Sequence, residues 1–385
     1  MELLLCLSQE QNPIPYTFKM TNIKVYSIEE AQYHCYHYWK QSYDEFLSEE
    51  FLTWVRDDLE QPYLTSQIMN IFSISGIGER LVAFFSLTEY LTPEHSENIR
   101  KITTAWEERL EWERLKEQAD YLIQKGDAAK ACMFYRKALI YGENVMILNN
   151  FAIALMKLSF FDEACFYLNK ALAIDNSKIQ LHLNLAEAAI YAKQFELAIN
   201  TLKLVRKLEP NHPDIYYLLG ELSAEQDKPR RALEYFKQAL TIAQDPIIRY
   251  RLVDMYMKLR QHEKALEVLN QATEEDKLFL IKQAEVHALC DNVPAAVKSL
   301  ERAAIYHSDD VEIWTQLAMY HRQNYDLTRA QAALLKALTL SPENEKALLE
   351  QARIKKTQGN TREYQHSIHS VLMGLKQKYR DTYGS

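Results

Sequence analysis

Two histidine pairs and one glycine-bearing loop are the places where this chain could do chemistry. The first is Tyr33-His34-Cys35-Tyr36-His37-Tyr38-Trp39. Histidines three apart on a helix share a face, so His34 and His37 could meet one metal ion while Cys35 points elsewhere. A zinc site takes three or four protein ligands, and no second cluster supplies the others. The expectation is an amphipathic helix whose aromatics pack and whose histidines sit at its rim. His366 and His369 have the same spacing and no supporting acid or cysteine. Ser75-Gly76-Ile77-Gly78-Glu79-Arg80 has two glycines but lacks the Gly-Lys-Ser/Thr ending of a phosphate-binding loop, and reads as a turn between helices. No serine or cysteine has a local base to activate it. Nothing here argues for catalysis, a metal or a cofactor, so the chain is expected not to be an enzyme.

The elements that would position a binding residue repeat along the chain. Ala131 with Tyr135 and Ala138 is followed by Ala164 with Leu168 and Ala171. The phrase returns at Ala198, Ala232, Ala265, Ala296 and Ala330, in steps of 33, 34, 34, 33, 31 and 34 residues. Each copy has apolar residues at helical spacing in both halves, so each is a pair of antiparallel helices. The ladder alanine lets the first helix approach closely. Twelve positions earlier that helix carries its own small residue: Ala119, Ala152, Ala186, Gly220, Ala284 and Ala318, with Val253 the exception.

This pattern resembles the tetratricopeptide repeat family, which pairs Trp-x2-Leu-Gly-x2-Tyr with Ala-x3-Phe and a late proline. Trp314, Leu317 and Ala318 match the first half, as do Tyr216, Leu219 and Gly220; Pro210 and Pro342 match the proline. Leu348 and Ala352 continue into a degenerate eighth unit, where Gly359-Asn360 marks the turn and Tyr364 replaces the ladder alanine. The resemblance covers residues 112 to about 378. It implies an all-α fold, an α-solenoid of about eight helical hairpins in a right-handed superhelix. The domains expected are a helical cap at 1–91, a linking helix at 92–111, the array at 112–378 and a tail at 379–385.

In the cap, Ser27-x-x-Glu30 reads as a capping box and Ile28, Ala31, Cys35 and Tyr38 as one helix face. Further helices are expected over 44–59, from Pro62 through Phe72, and through Leu81, Phe84, Phe85 and Leu91. Thr92-Pro93 starts one long helix, or two with a break near Glu111. Residues 1–111 hold eight Lys/Arg against eighteen Asp/Glu, whereas the rest is close to neutral. That balance excludes the basic footprint of a nucleic-acid binder. The apolar start is too short for a signal peptide and no run reaches a membrane span, so no membrane association is expected. Cys6, Cys35, Cys132, Cys165 and Cys290 are scattered and odd in number, as in a reducing cytoplasm.

The expected function is an intracellular adaptor or scaffold holding a peptide or partner domain against the first helices. One alternative is a signalling regulator with a sensing or inhibitory N-terminal domain; another is an enzyme with its site in residues 1–111. Counting one position past each small residue gives the groove-facing set Asp120, Ile153, Glu187, Glu221, Asp254, Glu285, Met319 and Arg353. Five of the first six are acidic. Asn150 and Asn184 stand two positions before the small residue, with Lys116 nearby, and Tyr217, Tyr250 and Met257 add apolar contact. Some members of the family use such an asparagine ladder to hold peptide backbone. Others clamp an acidic tail with basic residues and asparagines on three first helices. Here Asp120 and the pair Gln180 and Asn184 stand at places where that clamp wants other residues. The acidic row is therefore expected to select a basic, extended segment. Neither the partner's identity nor the oligomeric state is legible.

Overall fold

Small residues at the ladder positions set how closely the helices approach. All seven ladder alanines are fully buried, as are Ala119, Ala152, Ala186, Val253, Ala284, Ala318 and Ala352 on the first helices. At Gly220 a Cβ would lie 2.5 Å from the Phe236 ring, so only glycine permits that helix spacing. The structure is a computed structural model; it describes residues 14–88, 92–272, 275–360, 362–365, 367–369 and 371–373. Cys6, Leu91, His366 and the tail at 379–385 lie outside the described residues.

A two-stranded antiparallel ribbon, β1 (Tyr16–Thr17) and β2 (Lys24–Val25), opens the described chain. The N-terminal helices are α1 (Ile28–His37), α2 (Trp39–Ser42), α3 (Glu49–Thr53), α4 (Pro62–Ile71) and α5 (Ile77–Phe85), and α6 (Pro93–Glu107), expected as a separate linking helix, packs Ile99 and Trp106 into their core. First helices of the hairpins are α7 (Glu111–Gln124), α9 (Val145–Lys157), α11 (Ile179–Tyr191), α13 (Pro213–Glu225), α15 (Pro246–Lys258), α17 (Lys277–Leu289), α19 (Val311–Gln323) and α21 (Glu345–Thr357). Second helices are α8 (Ala128–Leu139), α10 (Phe161–Ile174), α12 (Phe195–Leu208), α14 (Pro229–Ile242), α16 (His262–Asn270), α18 (Val293–Tyr306) and α20 (Leu327–Leu340). The all-α, hairpin-by-hairpin fold read from the period is the one observed. One compact unit ends at Ala192 and a second begins at Lys193.

The cap has its own core, in which Phe18, Phe46, Phe51, Phe84 and Phe85 are fully buried and Trp106 of α6 takes part. Ser27 Oγ caps α1 by accepting from Glu30 N, but the Glu30 carboxylate turns back to Tyr26 N rather than to Ser27. The single helix expected over 44–59 is broken. Ser48 caps a new helix by accepting from Phe51 N, and the chain leaves α3 through a wide turn at Trp54–Asp58. Thr92 caps α6 with Pro93 in its first turn, and α6 ends just before α7 begins at Glu111. Gly78 is not part of a turn. It lies in α5, where a Cβ would collide with Thr103 Oγ1 of α6 at 2.3 Å.

Each hairpin turns through one residue with positive φ: Gly126, Ser159, Lys193, Asp227, Arg260, Asp291, Tyr325 and Gly359. At Gly126, Ser159, Asp227, Arg260, Asp291, Tyr325 and Gly359, a backbone bond of 2.8–3.0 Å from the next residue to the carbonyl five back closes the helix end, as in Asp127 N to Leu122 O and Lys228 N to Ser223 O. Six of these positions lack glycine and carry a left-handed cost of about 1–2 kcal/mol each, which the packed hairpin outweighs.

Candidate functional site

Neighbouring first helices lie side by side, and one register rule joins them. The residue after the small position of one helix meets the residue two before the small position of the next. Asp120 Oδ1 accepts from Asn150 Nδ2 at 2.9 Å. Glu221 takes Arg251 in a two-pronged pair, Oε1 to Nε at 2.5 Å and Oε2 to a terminal nitrogen at 2.6 Å. Asp254 Oδ1 takes Lys282 Nζ at 2.7 Å. Of the expected groove acids, Asp120, Glu221 and Asp254 are thus each met by the next helix.

In the first unit the result is a row of amides. Gln180 Nε2 donates to Asn184 Oδ1 at 2.9 Å, Asn184 Nδ2 to Asn149 Oδ1 at 2.8 Å, and Asn149 Nδ2 to Asn150 Oδ1 at 3.2 Å. Asn150 then donates to Asp120, which also accepts from Lys116 Nζ at 2.6 Å and Tyr135 Oη at 2.5 Å. Burial first, and the Asp120 carboxylate second, push the Tyr135 phenol well above its ordinary value. The row crosses α7, α9 and α11. At its α7 end a depression of about 390 Å³ is lined by Arg109, Trp112, Glu113, Lys116, Glu117, Asp120 and Met146. Glu187 stands half-buried at the matching place on α11.

In the second unit the row is ionic. Glu221, Arg251, Asp254, Lys282 and Glu285 alternate in sign across α13, α15 and α17, with Lys282 also 3.3 Å from Glu285. Burial pulls the Lys282 ammonium down, but Asp254 and Glu285 outweigh it and hold it above its ordinary value.

Two expectations need correction. Glu221 does not look into an open groove; it is fully buried because the Arg251 guanidinium covers it. Tyr250 adds no apolar contact to a groove. It is 5% exposed, and its hydroxyl donates to Asp276 Oδ1 at 2.8 Å. Tyr217 and Met257 are half-buried against the core, Tyr217 with its ring 5.9 Å from Phe236. The sequence reading passed over Asn149, Arg251 and Lys282. The last two stand at the Asn150 position of their own repeats, so the same count would have found them.

Of the histidine cluster, His34 and Cys35 are built into the core of the cap, where the sequence placed both histidines at a rim. His34 stacks on Phe18 at 3.7 Å and its Nε2 lies 2.7 Å from Thr21 Oγ1; burial lowers its pKa to about 4. Cys35 is fully buried, and burial pushes its thiol up, away from the reactive thiolate. His37 is exposed between Tyr33 and Tyr36. Among the described residues no three His, Cys, Asp or Glu side chains are placed to hold a metal ion. No helix of the described residues is long and apolar enough to cross a membrane.

Comparison with known proteins agrees with this geometry. A tetratricopeptide repeat family model matches residues 155–222 and 223–293, and a second matches 291–354, together just over half of the chain. Tetratricopeptide repeat protein 21 homolog of Caenorhabditis elegans is 26% identical over 163 residues, 39% of this chain but only 12% of that relative. Its Caenorhabditis briggsae counterpart is 22% identical over 136 residues, 32% of this chain and 10% of the relative. A solved tetratricopeptide repeat protein from Parabacteroides merdae is 17% identical and covers 64% of this chain and 98% of its own, with a TM-score of 0.45. By its period, its buried small-residue ladder and these family matches, the chain belongs to the tetratricopeptide repeat family, whose stacked hairpins are scaffolds for protein–protein interaction.

Proposed function

We propose that the chain is an intracellular adaptor that holds an extended peptide segment against α7, α9 and α11. The amide row carries this reading. A side-chain amide both donates and accepts, so it can exchange its bond to the next amide for bonds to a peptide backbone. The exchange is cheap, because a neutral hydrogen bond contributes only about 0.5–1.5 kcal/mol net. Trp112 and Met146 offer apolar contact in the depression at the row's end. Three carboxylates there, Glu113, Glu117 and Asp120, stand against Arg109 and Lys116. Glu117 is already paired with Arg109 and Lys40, and Asp120 with Lys116, so Glu113 is the carboxylate that favours a lysine or arginine in the segment, and its capture weakens with salt.

The test is a pull-down with the full chain beside its Asn150→Ala/Asn184→Ala variant, both checked for helicity. Partners bound by the native chain should be lost from the variant. Equal capture by both would remove the amide row from the reading.

A further inference from the structure

The second unit contains a cleft that the register rule does not use. It lies between α12, α13 and α14 and has a volume of about 240 Å³. Leu202, Ile215 and Leu222 form a buried floor, while Lys203, Arg206 and Arg231 stand exposed at the rim. No acidic residue lines it. Ile199, Leu202, Lys203 and Arg206 follow the i, i+3, i+4, i+7 pattern of one helix face, so the α12 side is apolar below and basic above. Lys203 and Arg206 make no ion pair among the described residues. Arg231 is already oriented, its guanidinium 5.6 Å from the Tyr235 ring centroid and 3.2 Å from the Tyr235 hydroxyl.

One repeat later the corresponding places hold Leu240 and Val268, both packed into the core. Apolar side chains pack against the core there, whereas Arg206 and Tyr235 line this cleft. A volume of about 240 Å³ falls below the roughly 300–1,000 Å³ of a cofactor or drug-sized site. It suits one bulky apolar side chain. Three cations above an apolar floor call for carboxylates on either side of that chain.

We propose that this cleft is a second docking site, built from residues other than those of the amide row, for an acidic peptide segment that inserts a Leu or Phe between Asp or Glu residues. The apolar side chain enters the floor, and the carboxylates pair with Lys203, Arg206 and the Arg231 fork. Paired charge at a rim gives selectivity and steering, and salt screens it.

The experiment uses the full chain and a fluorescein-labelled Asp-Asp-Phe-Leu-Glu-Asp peptide, followed by anisotropy at low salt. Two control peptides replace Phe-Leu with Ser-Ser, or the acids with lysine. Saturable binding of the acidic apolar peptide is expected, weakened about tenfold or more by Lys203→Glu/Arg206→Glu and by half-molar salt. Asn150→Ala/Asn184→Ala should leave that binding unchanged, which separates this site from the amide row. Circular dichroism checks that the charge variant is folded; Arg231→Gln, a milder change, should weaken binding in the same direction. Absence of binding to the native chain, equal binding of the Ser-Ser peptide, or no effect of both rim variants would each overturn the proposal.

Discussion

The amide row on α7, α9 and α11 and the ionic row on α13, α15 and α17 are built on one register and differ in what they can give up. Each places the residue after the small position opposite the residue two before it on the next helix. In the first row the partners are mostly neutral amides, Asn149 and Asn150 half-buried, Asn184 buried and Gln180 exposed at one end. In the second, Glu221 is fully buried beneath Arg251. Taking a carboxylate out of water costs several kcal/mol, and the pair survives only because its geometry returns that cost. A visiting peptide would have to break the pair first. The amides impose no such barrier. A binding surface and a structural seam can therefore share a sequence position and be told apart by the charge of its occupant.

The largest expected effect tests the seam. Arg251→Ala removes the two-pronged pair from a buried carboxylate and should lower unfolding free energy by about 3 kcal/mol, read as a drop in the urea midpoint. A loss no larger than that of Asn150→Ala would erase the distinction between the rows.

A titration in the cap must be separated from both rows. His34 has a folded pKa of about 4 against an ordinary 6.5. Above the ordinary value both states are neutral and its contribution is fully present. As pH falls through the window the unfolded chain takes up the proton first, so stability falls, by about 3 kcal/mol at the lower end. Asp44 and Glu45 act in the opposite sense there, because burial holds their folded values above the ordinary carboxylate range. The readout is therefore the slope of stability between pH 6.5 and 4, which His34→Gln should make less steep. An unchanged slope would mean that His34 is not held neutral by the cap.

A smaller effect asks whether the ionic row depends on the ladder beneath it. Gly220→Ala drives a methyl into the fully buried Phe236 ring. Overpacking costs about 1–3 kcal/mol, and the gain in helix propensity returns up to about 1 kcal/mol. The melting temperature should fall. No fall would show that α13 and α14 can separate without loss.

The smallest expected effect on stability belongs to the row proposed to bind. Asn150→Ala leaves Asp120 bonded to Lys116 and Tyr135 and should cost about 1.5 kcal/mol, the low end for a bond to a charged group, in denaturant unfolding, yet remove partner capture. A stability loss above the Arg251→Ala value would make the amide row a structural element instead.

Residue size at helical spacing is a local property, and it carried the fold. Alanine at 131, a large residue at 135 and alanine at 138 define one face whatever lies opposite. The hairpin architecture, the buried small-residue positions and the break before α7 were legible for that reason. The break at Ser48 followed from a local cap, but the apolar stripe of Phe51, Trp54 and Val55 masked it. Of the left-handed turns, the sequence reading named only the one at Gly359; glycine also marks the one at Gly126. At Arg260 and Tyr325 the side chain is unsuited to that backbone, and only the packed hairpin imposes it. The candidate site was half legible. Counting singled out Asn150, Asn184 and the acids, but a count along one helix does not show what the next helix sets against them, and Glu221 is buried where an open groove was expected. Arg251 reaches Glu221 across 30 residues of chain, and that meeting exists only when two first helices pack side by side. Whether an acid faces solvent or is sealed under a guanidinium is decided by the neighbour, and so by tertiary structure alone.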